Sequence, residues 1–146
     1  MKYRPEVGRK HDRDREMMRE LAQFRYTLRR FLRFSEKAAR ACGVTPQQHQ
    51  LMLGIAGFAE NGRATISELA EFLQERNNSV VGLVERAAES GLVKRREGKT
   101  DRRQVVVTLT PGGKEILATL SHLHQDEVRR LKSGVLRAER WPGRDA

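Results

Sequence analysis

The chain has 146 residues, a length that supports one core of ordinary size rather than two. Its 29 Lys and Arg against 19 Asp and Glu leave a formal net charge of +10, which points to an anionic partner, nucleic acid ahead of a membrane surface. No apolar run is long enough to span a bilayer, the charged opening MKYRPEVGRKHDRD lacks the apolar segment of a secretory signal, and a single cysteine, Cys42, excludes an internal disulfide. A cytoplasmic protein is expected.

The first dozen residues are polar, contain Pro5 and Gly8, and read as a loose arm. From about Arg13 to Ala41, Leu21, Phe24, Leu28, Phe31, Ser35, Ala38 and Cys42 recur at spacings of three and four and predict one buried helical face. Tyr26, Leu32 and Phe34 lie off that stripe. A helix apolar on two sides has two neighbours, either both within its own domain or one of them another subunit. Cys42 continues the stripe, so packing accounts for it better than redox chemistry.

Gly43 ends this helix, and Thr45, Pro46 and Gln48 open the next with a capping-box pattern and proline at the first helical position. Leu51, Ile55 and Phe58, with Met52 and Ala59, form its inward face, and Asn61-Gly62 stops it. Ala64 to Ile66 reads as a very short strand. Thr65 and Glu68 repeat the capping box ahead of a short helix with Ile66, Leu69, Ala70 and Leu73 inside. Gln74 to Arg76 then make a turn, and Asn77 is the expected N-cap of a second helix ended by Gly91. Its inward face is Val80, Leu83, Val84 and Ala87. Its outward face is Asn78, Ser79, Val81, Gly82 and Arg86. Asn can pair bidentately with adenine, Ser with a base or phosphate, Val with a thymine methyl, and Arg with guanine or phosphate, while Gly82 leaves room for close backbone approach.

Leu92 to Arg96 and Gln104 to Leu109 read as two strands joined by a basic turn, Glu97 to Arg102. A basic hairpin beside a reading helix can reach phosphates or the minor groove. Charge is divided accordingly: residues 43–93 hold 3 basic and 6 acidic residues, whereas residues 94–110 hold 6 and 2. The hairpin therefore carries the charge, and the helix before it supplies hydrogen bonds. Thr110, Pro111 and Gly113 open a last helix with a stripe of Ile116, Leu117, Leu120, Leu123, Val128 and Leu131. Ser133-Gly134 is expected to interrupt it, with one or two further turns from Val135 to Trp141.

The segments GVTPQQHQLML, TISELAEFL, SVVGLVERAAESGLVKR and DRRQVVVTLTPGGK, in that order, resemble the MarR family of bacterial and archaeal transcription regulators from the first helix to about Leu131. The resemblance implies a homodimer with interlocking terminal helices and two winged helices on a palindromic operator in double-stranded DNA. It also implies that Arg102 enters the minor groove, that Asp101 orients the neighbouring arginines, and that a small, often aromatic, ligand is bound. Val81-Gly82 departs from the polar or basic pair common in relatives.

The expected fold class is mainly α with a small β-hairpin wing (α+β), a winged helix-turn-helix with N- and C-terminal dimerisation helices. Residues 1–43 form the arm and first dimerisation helix, 44–110 the DNA-binding region and 111–146 the C-terminal dimerisation helices, one structural domain overall. The expected function is that of a dimeric, sequence-specific repressor relieved by a small molecule; the alternative is an architectural DNA-binding protein with little sequence preference. The DNA-contacting candidates are Asn77, Asn78, Ser79, Val81, Gly82 and Arg86 on the helix, with Arg95, Lys99, Asp101, Arg102 and Arg103 on the wing. Tyr26, Arg30, Phe31 and His49 are ligand candidates. No glycine-rich phosphate cradle, catalytic carboxylate pair or metal-ligand spacing stands in the sequence, so neither enzyme activity, metal nor cofactor is expected.

Overall fold

The computed structural model describes residues 5–136, with side chains placed for residues 8–133. These residues form two compact units, one of residues 5–34 and 124–136, the other Ser35–Leu123. Helices α1 (Pro5–Ala41) and α5 (Pro111–Leu136) each contribute to both.

The second unit contains α2 (Pro46–Leu53), β1 (Ala64–Thr65), α3 (Ile66–Leu73), α4 (Asn77–Glu89), β2 (Val93–Glu97) and β3 (Val105–Leu109). Local chemistry sets its helix starts. Thr45 accepts the Gln48 backbone N–H at 3.1 Å while Gln48 Oε1 accepts the Thr45 N–H at 3.0 Å. Thr65 and Glu68 make the same reciprocal pair at 3.2 and 3.1 Å. Each box satisfies two backbone donors that a helix end otherwise leaves open. At the start of α5 Thr110 satisfies one such donor, accepting the Gly113 N–H at 3.0 Å while donating its hydroxyl to the Gly91 carbonyl at 2.6 Å. Gly113 is held there by space: a Cβ at that position would lie 2.1 Å from the Leu92 carbonyl oxygen, a backbone atom that cannot swing aside.

The three strands form an antiparallel sheet in the order β1-β3-β2, with Ala64 opposite Val107, and Arg95 opposite Val107 on its other side. The very short expected strand is present as Ala64–Thr65. Ala39, Leu51, Met52, Ile55, Leu69, Val84, Val107 and Leu120 fill the centre of the core, and Cys42 packs against its edge. The fold is thus mainly helical with a small antiparallel wing sheet, as expected.

Three expectations about buried faces are corrected in this structure. Phe58 is 51% exposed and stacks on Phe72 with ring centroids 5.2 Å apart. The cause is a π-helical turn, Gly54–Phe58, closed by Ala59 N–H to Gly54 O at 3.0 Å; the wider turn breaks the three-and-four spacing after Ile55. Leu123 is exposed, and its neighbour His124 is buried instead. Along α1 before Ala38, the exposed side chains include Leu21 and Phe24, whereas the buried ones are Gln23 and Thr27. The Thr27 hydroxyl donates to the Gln23 carbonyl at 3.0 Å, which satisfies it within the helix.

The ends of the long helices also differ from expectation. α1 begins at Pro5 rather than near Arg13, so residues 5–12 are helical and not a loose arm. Proline suits a first helical position, and the single Gly8 costs a helix only about 1 kcal/mol among strong helix formers. For the same reason α5 runs through Ser133-Gly134 to Leu136. The turns expected up to Trp141 lie, beyond Leu136, outside the described residues.

Candidate nucleic-acid interface

The reading elements α3 and α4 meet at a turn made by Gln74, which adopts the left-handed conformation (φ 52°). Its side-chain amide donates to the Glu71 carbonyl at 2.8 Å, and the Glu75 N–H closes onto Ala70 O at 3.0 Å. After this turn Arg76 is extended and is itself the N-cap, so Asn77 is the first helical residue and not the cap that the sequence suggested. The consequence is chemical. α2, α3 and α5 begin under threonine caps, but α4 has no side-chain cap, and its first intrahelical acceptor, Arg76 O, is taken by Val80 N–H at 3.1 Å. The N–H groups of Asn77, Asn78 and Ser79 therefore point out of the helix end beside three exposed polar side chains, an arrangement that favours phosphate oxygens.

Val80, Val84 and Ala87 are buried and anchor α4 to the core, which turns Asn78, Ser79, Val81 and Arg86 outward. Gly82 is half-buried, and a Cβ there would lie 3.3 Å from Arg86 Nη1, so the missing side chain makes space for that guanidinium.

The wing is tied at its base and tip. Gly98 N–H donates to Gln104 O at 2.7 Å, and Gln104 N–H to Asp101 O at 3.1 Å. A Cβ on Gly98 would lie 2.6 Å from Asp101 O, which explains the glycine. Asp101 Oδ1 accepts the Arg103 backbone N–H at 3.0 Å, so its brace acts on the backbone that carries the arginines. Lys99, Arg102 and Arg103 are exposed at this tip. Arg95 stands apart from them: its Nη1 lies 3.5 Å from Glu85 Oε1 on α4, with both side chains about half exposed. Such a pair adds little stability but neutralises Arg95 and ties β2 to the reading helix.

Sequence reasoning missed Arg76, Arg96 and Val105. Arg76 falls in the expected turn, while Arg96 and Val105 line a recess of about 350 Å³ with Val81, Val84 and Ile66 between α4 and the wing. Strand alternation was the available signal for the last two, but it does not say which face meets α4.

The ligand candidates are distributed over both units. In the first, Arg30 Cζ lies 5.8 Å from the Tyr26 ring centroid, and Phe31 meets His124 edge-on at 6.0 Å. His49, in the second, is buried.

Residues 43–104 match the MarR family. That segment is thus similar to MarR-family regulators. It is 37% identical over 75 residues to the uncharacterized HTH-type transcriptional regulator YfiV of Bacillus subtilis (strain 168), a match covering 51% of this chain and 44% of that protein. The match thus spans less than half the length of the curated relative. Among solved structures, the MarR-family transcriptional regulator AbsC of Streptomyces coelicolor is similar with a TM-score of 0.66 and 19% identity, over 98% of this chain and 87% of AbsC. A cysteine-to-serine mutant of E. coli MarR complexed with operator DNA is similar with a TM-score of 0.65 and 23% identity, over 79% of this chain and 81% of that one. These structural likenesses establish a shared MarR-type winged-helix fold.

Proposed function

We propose that this protein is a MarR-type, sequence-specific regulator of transcription that binds double-stranded DNA as a homodimer, represses by occupying a palindromic operator and is released by a small molecule. The observation that carries the reading is the pairing of two unlike surfaces in one unit. α4 offers an uncapped N-terminus with exposed Asn77, Asn78 and Ser79, and the braced wing beside it holds Lys99, Arg102 and Arg103. The side chains of the first suit base edges and its free N–H groups a phosphate, and the second suits the phosphate backbone or minor groove. The dimer is supported by the exposed apolar stripe of α1, Met17, Leu21 and Phe24, which a second copy would cover.

The test begins with selecting bound duplexes from random sequence and measuring affinity against salt. Arg102→Ala is expected to weaken binding to all duplexes and to lower the slope of log affinity against log salt by about 0.9 if it removes one phosphate contact. Asn78→Ala is expected to relax discrimination at a single base pair by about 1–3 kcal/mol and to leave the salt slope unchanged. Equal affinity of the parent for all sequences would instead support the architectural reading, and an Arg102→Ala protein that binds like the parent would remove the wing from the interface.

A further inference from the structure

A cleft of about 560 Å³ opens in the second unit between the turn after α2, the inner end of β3 and the start of α5. Its apolar lining comes from Ala56, Leu109, Leu117 and Ala118. Two cations border it from different elements, Arg63 just before β1 and Lys114 in the first turn of α5, and no acidic residue lines it. Among the described contacts neither cation has an anionic partner. Volume, an apolar lining and a few converging polar groups are the ordinary properties of a small-molecule site.

The backbone of this rim is unusual as well. Ala56 belongs to the π-helical turn, and Asn61 and Gly62 both adopt positive φ, 57° and 68°. π-turns and left-handed residues outside glycine are concentrated at functional sites because they cost energy that a plain helix end avoids. Here they carry the chain out of α2 and set Arg63 at the cleft. Ser121 donates its hydroxyl to Leu117 O at 2.7 Å, so toward the cleft its oxygen can only accept. Two cations and an apolar lining fit a ligand with paired negative charge on a small organic body, with any donor of that body placed toward Ser121.

We infer that this cleft binds a small organic dianion, a phosphate monoester or a dicarboxylate with an apolar portion, at a site separate from α4 and the wing tip. Arg63 and Thr108 also line a second recess, shared with Arg96, Glu97 and Lys99 along the wing. A bound dianion therefore cancels positive potential next to the wing and weakens DNA binding; this consequence, unlike the site, rests on the DNA-binding reading.

The experiment is calorimetric titration of the full chain, without DNA, using phenyl phosphate, with inorganic phosphate and benzoate as partial probes. Phenyl phosphate is expected to bind at one site per chain and more tightly than either partial probe, because only it uses both the charge pair and the apolar lining. Arg63→Gln and Lys114→Gln are each expected to weaken it about tenfold, the loss of one charge-assisted contact. Ala118→Trp, an exposed position on α5, should abolish binding while leaving both cations in place. Affinity unchanged in the charge variants or in Ala118→Trp overturns the site, as does equal binding of phenyl and inorganic phosphate. DNA affinity is then compared with and without saturating phenyl phosphate. A drop of several-fold that Arg63→Gln removes supports the coupling, and an unchanged affinity overturns it. A parent that binds no DNA refutes the DNA reading, and the calorimetric result stands independently of it.

Discussion

The two compact units differ in what they bury. Among the described residues, all the buried apolar side chains lie between Ala38 and Leu120, within the second unit, whereas the buried side chains of the first unit are Gln23, Thr27 and His124. The first unit leaves Met17, Leu21 and Phe24 in solvent, with Leu21 56% and Phe24 50% exposed. The second unit is thus closed by its own core. The first leaves that apolar surface uncovered, and the His124 ring, edge-on to Phe34 at 5.2 Å, belongs to its interior. What differs is how much apolar burial each unit obtains within the chain; under the proposed dimer the first would obtain the rest between two copies.

Damage to the two units is expected to register in different measurements. The largest effect is expected for Leu69→Ala, which opens a cavity at a fully buried position. A loss of about 2–5 kcal/mol in denaturant unfolding is expected, and a loss under about 1 kcal/mol would show that the core is not close-packed there. Phe24→Asp should leave the unfolding of the second unit unchanged but raise the dimer dissociation constant by on the order of 100-fold in sedimentation equilibrium, since the substitution enters a two-fold interface from both copies. An unaltered dimer would place the interface elsewhere. Gly113→Ala tests the joint between α5 and the Gly91-Leu92 turn: with a Cβ directed at the Leu92 carbonyl, a loss of about 1–3 kcal/mol is expected. The smallest effect is Thr65→Ala, which removes one half of a capping box and should cost about 1 kcal/mol without altering oligomeric state.

The features that were legible from sequence share a physical property, short range. Thr45 with Gln48 and Thr65 with Glu68 are three residues apart, so the donor and acceptor of each capping box find one another in any helix that starts there. The β-branched run Val105 to Thr108 and the glycine at Gly98 likewise announce a strand and a tight turn from local sterics. The outward set of α4 could be listed because Val80, Val84 and Ala87 keep a regular period and Asn78, Ser79 and Val81 fall between them. What failed to be legible depended on a break in period or on a distant neighbour. The π-turn at Gly54–Phe58 carries no composition signal, and it reversed the placement of Phe58. Leu123 and His124 exchange roles because burial follows the ring contacts of Phe31 and Phe34, far away in sequence, rather than residue hydropathy.

The candidate site divides along the same line. Amino-acid order was enough to announce a winged helix-turn-helix with a charged wing and a nearly neutral reading helix, because periodicity, caps and charge are carried by neighbours along the chain. The absence of a side-chain cap on α4, the diversion of Arg95 to Glu85, the recess joining Val81 to Val105 and the cleft between Arg63 and Lys114 arise from elements that meet in space. Those meetings are set by packing of the whole core, and no pairwise spacing in the sequence encodes them.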